Sequence, residues 1–366
     1  MKNLENINIG TEKKKVLIAP LDWGLGHATR CIPIIEYLLS KKITVVMAAE
    51  GSTAAILKEA FPNCLLIPVK GYRIRYSSLG KWFFLKLATQ LPKIFFAIQH
   101  EKKWLKTIVQ QHQIDGIISD NRLGLSHKQV PSIFITHQLH IQTGRRWLDN
   151  FVQRINYFYI NQYQTCWVPD IATEKNYAGA LSHPKKMPVI PVHYLGVLSR
   201  FYNKPTTLQF HICFLLSGPE PQRTILETEI LEQIKNVEVP MVMVRGLPNE
   251  KSVLKSSNTH LTIYNHQNAA LLNELICQSE LVLCRSGYSS VMDLIACHKK
   301  AILIPTPGQT EQIYLAKHLS KMGLFITHQV NDNLIDLIER AKELQSPLQQ
   351  ELEWDKSIVD NWIKSI

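Results

Sequence analysis

The sequence predicts an α/β protein: two Rossmann-like domains, each a doubly wound sheet, facing across a cleft. Three observations support this. Short apolar runs alternate with stretches of helical spacing along most of the chain, which is the pattern of βαβ units. The pattern stops in a loop-like stretch from Met187 to Pro205, which contains Pro188, Pro191, Gly196 and Pro205, and then starts again. A chain of 366 residues is long for one hydrophobic core and fits two.

In chain order, the first half is expected to place strands at Lys15 to Ala19, Ile43 to Ala48, Cys64 to Ile67, Asp115 to Ser119, Ser132 to Thr136 and Thr165 to Val168. The second half repeats the pattern at His211 to Leu216, Pro240 to Val244, Leu261 to Tyr264, Leu281 to Cys284 and Ala301 to Ile304. The resulting units are 1–195, an N-terminal Rossmann-like domain, and 196–346, a C-terminal one. A terminal segment, 347–366, reads as helical from Leu348 onward.

Composition narrows the function classes. Hydrophobic residues make up 45% and charged residues 19%, the balance of a folded globular chain. No run of about eighteen apolar residues occurs, and the polar start MKNLENINIGTEKKK does not read as a signal peptide, so a cytoplasmic chain is expected. Seven cysteines without a CxxC pair suggest reduced, mostly buried thiols rather than a disulfide framework or a zinc site. No metal or cofactor is expected.

The net charge of +11 is concentrated. Between Lys70 and Lys106 there are nine Lys or Arg against one acid, Glu101, interleaved with Tyr72, Tyr76, Trp82, Phe83, Phe84, Phe95, Phe96 and Trp104. Such a stretch suits an anionic membrane surface, with rings at the acyl boundary and cations at the phosphates. It equally suits an amphipathic helical pair with the rings in the core and the lysines solvated. No nucleic-acid motif accompanies the charge, so nucleic acid is not expected as a partner.

The densest chemistry lies in Cys284-Arg285-Ser286-Gly287-Tyr288-Ser289-Ser290-Val291-Met292-Asp293. A strand end runs into a helix whose free amides and positive dipole end can hold a diphosphate. Ser286 reads as the helix N-cap, and Gly287 leaves the backbone open to a phosphate. Asp293, further along the helix, can accept hydrogen bonds from vicinal ribose hydroxyls. In the first half, Asp22-Trp23-Gly24-Leu25-Gly26-His27-Ala28-Thr29-Arg30 follows a strand and opens a helix. Thr29 stands where a dinucleotide fingerprint needs its third glycine, and no Gly-Lys-Ser/Thr completes a P-loop. Asp120, His137 and His140 end strands on the same cleft face, and any of them, like His27, can serve as base or acceptor ligand. His137 and His140 lack evident further ligands for a metal.

On these residues the chain resembles the GT-B glycosyltransferases of family 28, including the N-acetylglucosaminyltransferase of lipid-linked peptidoglycan precursor synthesis. The resemblance implies donor contacts from Ser286, Gly287, Ser290 and Asp293, and sugar contacts from Glu311 and Gln312. It places uracil near Arg245 and Gly246. Asp293 stands where that family usually has Glu. Ser217 and Gly218, after the first strand of the second half, are expected to help hold the departing diphosphate. His27 matches a cleft-facing histidine of the family and is expected to be the base, with Gly24, Gly26, Arg30, His137 and His140 on the acceptor side. The expected function is inverting, metal-independent transfer of an N-acetylhexosamine from a UDP-sugar to a glycan or lipid-linked acceptor. Through Gly24-x-Gly26-His27-x-x-Arg30-Cys31 the chain also resembles the UDP-sugar hydrolases of pseudaminic acid synthesis, in which water is the acceptor. A nucleotide-sugar binding protein without turnover is the third reading.

Overall fold

The structure is a computed structural model, and it describes residues 13–72, 91–142, 146–252, 254–328, 332–345 and 354–366. Tyr76, Trp82, Phe83 and Phe84 of the basic aromatic stretch, and the start of the C-terminal segment at Leu348, lie outside the described residues.

The first domain is a parallel sheet of seven strands in the order β3-β2-β1-β4-β5-β6-β7. Its strands are β1 (Lys15–Pro20), β2 (Thr44–Ala48), β3 (Leu65–Ile67), β4 (Gly116–Asp120), β5 (Ser132–Ile135), β6 (Thr165–Val168) and β7 (Val192–Tyr194). Helices α1 (Leu25–Ser40), α2 (Gly51–Ala60), α3 (Leu91–His112) and α4 (Arg146–Ile160) make crossovers between them. The central strands are buried on both faces, which is why they read as continuous apolar runs.

The second domain has six parallel strands in the order β10-β9-β8-β11-β12-β13. They are β8 (Phe210–Leu215), β9 (Met241–Val244), β10 (Leu261–Tyr264), β11 (Ser279–Arg285), β12 (Lys300–Ile304) and β13 (Ile326–Thr327). Helices α5 (Gln222–Gln233), α6 (Ala269–Cys277), α7 (Tyr288–Ala296), α8 (Thr310–Lys321) and α9 (Leu334–Lys342) connect them. Asn268 and Asn333 cap α6 and α9 through their side chains, satisfying amides that those helices cannot satisfy internally.

Strand order reverses direction between β1 and β4 in one sheet and between β8 and β11 in the other. In open α/β sheets the crevice beyond the strand ends at such a reversal is where ligands bind. Asp120 pairs in register with Pro20 at the first reversal, and Arg285 ends β11 at the second.

Two features tie the domains together. After β6 the chain leaves the first sheet, and Ile171, Tyr177, Ala178 and Leu181 are buried in one apolar cluster with Val291, Met292, Leu315 and Leu319 of α7 and α8. The C-terminal helix α10 (Lys356–Ser365), capped by Asp355, packs Val359 and Trp362 into the first domain's core beside Ile34, Ile35 and Trp167. A Cβ on Gly116 would lie 2.7 Å from the Trp362 ring, so β4 requires glycine where α10 crosses it.

Candidate active site

Helix α1 follows Gly24, whose φ of 87° lies in the left-handed region that glycine tolerates. One turn apart on α1, His27 and Arg30 reach the same strand end. Arg30 Nε donates to Asp120 Oδ2 at 2.5 Å, and Arg30 Nη2 donates to Asp120 Oδ1. His27 Nδ1 lies 2.9 Å from Asp120 Oδ1 and 2.8 Å from Arg30 Nη2. Because Arg30 Nη2 and the ring nitrogen both point at Oδ1, a carboxylate that only accepts, the proton belongs on Nδ1. Nε2 then keeps its lone pair, the tautomer a general base needs.

The charges in this group are mutually dependent. Burial opposes ionisation of Asp120, but Arg30, and then His27, hold its carboxyl well below the usual carboxylate range. Burial also lowers the His27 pKa, partly offset by Asp120, so the ring stays neutral further into acid than a free histidine. Cys31 Sγ lies 3.7 Å from Asp120 Oδ2, and burial pushes its thiol well up, which keeps it protonated.

The group continues across the cleft. Arg30 Nη1 is 2.8 Å from His137 Nδ1, and His137 Nε2 is 2.9 Å from Glu311 Oε1 on α8. Gln138 Nε2 donates to Glu311 Oε2 at 2.5 Å, and the His137 ring stacks on Tyr288 of α7 with centroids 4.0 Å apart. Burial would raise the Glu311 carboxyl pKa, yet His137 brings it below its ordinary value. Five side chains from both domains thus form one chain, His27 to Asp120 to Arg30 to His137 to Glu311. At its edge the first turns of α1 and α7 meet: a Cβ on Gly26 would lie 2.5 Å from Ser289 Oγ, so a side chain there would require the Ser289 hydroxyl to move.

In the second domain the structure corrects one expectation. Ser286 is not the N-cap of α7. Gly287 occupies that position without a side-chain cap, and the Ser286 hydroxyl donates to the Gln312 carbonyl at 2.9 Å. The first amides of α7 are therefore left without a side-chain cap, consistent with a site for an anion. Gly287 and Ser290 sit in that turn, partly exposed.

Sequence reasoning missed Arg285 as a site residue. It is 5% exposed, no carboxylate stands within ion-pair distance among the described residues, and burial lowers its pKa. Its Nη groups donate to the carbonyls of Pro305 and Gln222, while Nε and the buried Thr306 Oγ1 have no hydrogen-bond partner. Both lie about 4 Å from where Gly218, with φ 109°, would carry a Cβ, at 4.0 and 3.8 Å. Ser217 beside it is exposed. A buried cation facing a glycine turn and an unpaired hydroxyl suits a phosphate group. Burial was the missing signal, since a strand-ending arginine reads as a surface residue.

Other expected residues are already engaged. Gln312 accepts from Thr306 N at 2.8 Å and donates to Gln309, which fixes the loop after β12. Asp293 accepts from Ser199 Oγ at 2.5 Å, and burial pushes its carboxyl up to about 6. Arg245 is committed to structure by two bonds to Glu227, at 2.8 and 2.9 Å, and one to Asn265. His140 joins the segment after β6 through its backbone, whose N–H donates to Leu181 O at 2.9 Å. Among the described residues no group of three or more His, Cys, Asp or Glu could hold a metal ion. A cavity of about 420 Å³ lies beside this face, lined by Asp22, Glu50, Gly51, Ser52 and Thr53. Another of about 840 Å³ is at the opposite, amino ends of β1 to β3 and is remote from the chemistry.

Comparison with known proteins accords with this fold. Residues 222–361 match the glycosyltransferase family 28 C-terminal domain. No curated protein matches the chain in sequence. Among solved structures, CalG4, the calicheamicin glycosyltransferase, is similar with a TM-score of 0.65 at 11% identity, covering 91% of this chain and 90% of that one. The glycotransferase of kitacinnamycin gives 0.64 at 12% identity, covering 91% of each chain. MurG of Acinetobacter baumannii gives 0.54 at 14% identity, covering 97% of this chain and all of that one (100%). At such identities the likeness concerns the fold. The chain is a two-domain protein of the GT-B fold, with a match to the family 28 glycosyltransferase C-terminal domain over most of its second half.

Proposed function

We propose that the protein transfers a sugar from a nucleoside diphosphate sugar, a UDP-N-acetylhexosamine, to a hydroxyl of a glycan or lipid-linked acceptor. The observation that carries this reading is the His27–Asp120 pair, set across the cleft from the uncapped turn of α7 and the buried Arg285. In the proposed reaction His27 Nε2 takes the acceptor hydroxyl proton as the acceptor oxygen bonds to the anomeric carbon. The bond from that carbon to the diphosphate oxygen breaks with its electron pair. Charge building on the departing diphosphate meets the α7 amides, the Gly218 turn and Arg285. Asp120 stabilises the imidazolium formed, and a single displacement of this kind inverts the anomeric centre. The charge stabilisation in this scheme comes from the protein's own groups.

Product analysis tests it. Nucleotide release from UDP-N-acetylglucosamine should depend on an added acceptor and yield a glycosylated product. Release at full rate without acceptor would instead assign hydrolysis, and donor binding with no turnover under any acceptor would assign a binding protein.

Three substitutions test the donor side. Arg285→Met is expected to weaken UDP binding by about 1.5 to 3 kcal/mol, the range for hydrogen bonds to charged groups. Asp293→Ala should cost a similar amount. In the proposed complex the ribose hydroxyls replace Ser199 on that carboxylate, so Ser199→Ala should bind UDP no less tightly. With the Asp293 carboxyl pushed up to about 6, UDP affinity should decline as pH falls through that value, because the protonated acid is a poorer acceptor. Calorimetry reads all of these, and an unchanged dissociation constant in folded Asp293→Ala would remove that residue from the donor site.

A further inference from the structure

Helix α4 has its polarity inverted toward solvent. Trp147 is 66% exposed, Phe151 51%, Ile155 37% and Phe158 65%. At 100° per residue these four fall within an arc of about 80°, a single face. The opposite face packs Tyr157 and Ile160 into the core with Phe134 and Tyr163. A helix with one face in the core ordinarily presents polar residues to water; this one presents four large apolar side chains along three turns.

The neighbouring helix extends the pattern. Tyr159 of α4 is buried against Ile98 of α3, and Lys102 reaches across to Gln162 at 2.9 Å. One turn before that junction, Phe95 and Phe96 are exposed. The fully exposed charges beside the rings are cationic, and Asp149, the one acid of α4, is half-buried on the side of the helix away from the apolar stripe. Lys93, Lys103 and Lys106 on α3 and Arg154 on α4 are exposed. Glu101, the sole acid of α3, is withdrawn from the surface into a buried pair with Arg122 at 2.7 Å and a hydrogen bond from Tyr72 at 2.9 Å.

From this we infer that α4, with the first turns of α3, docks onto an anionic lipid surface. Trp147, Phe151, Ile155 and Phe158 enter the acyl boundary while Arg154 and the α3 lysines meet lipid phosphates. Exposed rings rimmed by cations match such an interface, and the buried Glu101 removes the repulsion that an exposed carboxylate would add. The docked element adjoins the cleft. Gln142, four residues before α4, accepts a hydrogen bond from Thr310 at the start of α8 at 3.0 Å, so docking would set the cleft mouth beside the lipid. The inference requires no donor and stands apart from the proposed glycosyl transfer.

The test is sedimentation of the full chain, without nucleotide, with phosphatidylcholine vesicles that do or do not contain phosphatidylglycerol. The wild type is expected to pellet with the anionic vesicles and to be partly released by salt, which screens the cationic contribution. W147S/F151S/F158S should lose about tenfold or more of the partitioning, with an unchanged thermal midpoint because these side chains lie outside the core. R154E should lower binding at low salt and make little difference at high salt. A wild type that never pellets, or a triple variant that pellets equally, overturns the inference. So does a wild-type dimer that becomes monomeric in the triple variant, since the stripe would then be covered by a second copy of the chain.

Discussion

His27→Ala is expected to lower kcat by at least about a hundredfold, the usual worth of a positioned general base, with UDP affinity nearly unchanged. The two functions separate because His27 belongs to α1, while the groups assigned to the diphosphate belong to β11, α7 and the Gly218 turn. The wild type should carry a pH signature that the variant lacks. A base works unprotonated, so kcat falls as pH drops through the His27 pKa, which burial sets below the ordinary 6.5. Asp120→Asn removes the neighbouring charge that raises this pKa and weakens the preference for a proton on Nδ1, so it should also lower kcat. Stopped or continuous assays of nucleotide release across pH read both effects. Near-normal turnover in His27→Ala would move the base role elsewhere, with His137 the next candidate by position.

Arg30→Met is expected to destabilise the protein by about 3 to 5 kcal/mol, the cost of leaving one member of a buried ion pair alone. Arg30 is 4% exposed and Asp120 fully buried, so neither can recover its lost partner from water. Urea unfolding measures it, and the double variant Arg30→Met with Asp120→Leu should be more stable than the single one, because the orphaned carboxylate is gone. The pair also predicts acid sensitivity of the wild type. The folded pKa of Asp120 lies below its unfolded value near 3.9, so its contribution is complete above about that pH and is lost as pH falls toward the folded value. Equal stability of Arg30→Met and wild type would mean that the buried pair contributes no net free energy.

The sheets were legible chiefly because their central strands are buried on both faces and therefore read as apolar runs. The exceptions are the edge strands β7 and β13, of three and two residues, the first of which lies inside the Pro-rich stretch that read as a loop. The strand ends that carry Asp120 and the Cys284 to Asp293 run, and the turn before His27, were legible as well, but the strand order that makes them reversal points was not. Partnerships were not. Nothing in the local sequence couples His137 to Glu311, 174 residues away, or Ser199 to Asp293. Ser286 looked like a cap because serine before a glycine and a helix usually is one, yet its hydroxyl turned instead to the Gln312 carbonyl. The pairing of Arg245 with Glu227 on α5, eighteen residues away, was likewise not visible in the sequence. The segment Ile171 to Leu181 fell inside the 1–195 unit, and only packing shows that its apolar side chains join the second core.

The central claim is a nucleoside diphosphate site at the strand reversal of the second domain. It is tested most directly by calorimetric titration of UDP, GDP, ADP and dTDP into the full chain. The account predicts one saturable site with UDP preferred, competition by the matching sugar nucleotide, and weakening of that site in Arg285→Met. Absence of binding by all four at about 1 mM, or binding that Arg285→Met leaves unchanged, would contradict it.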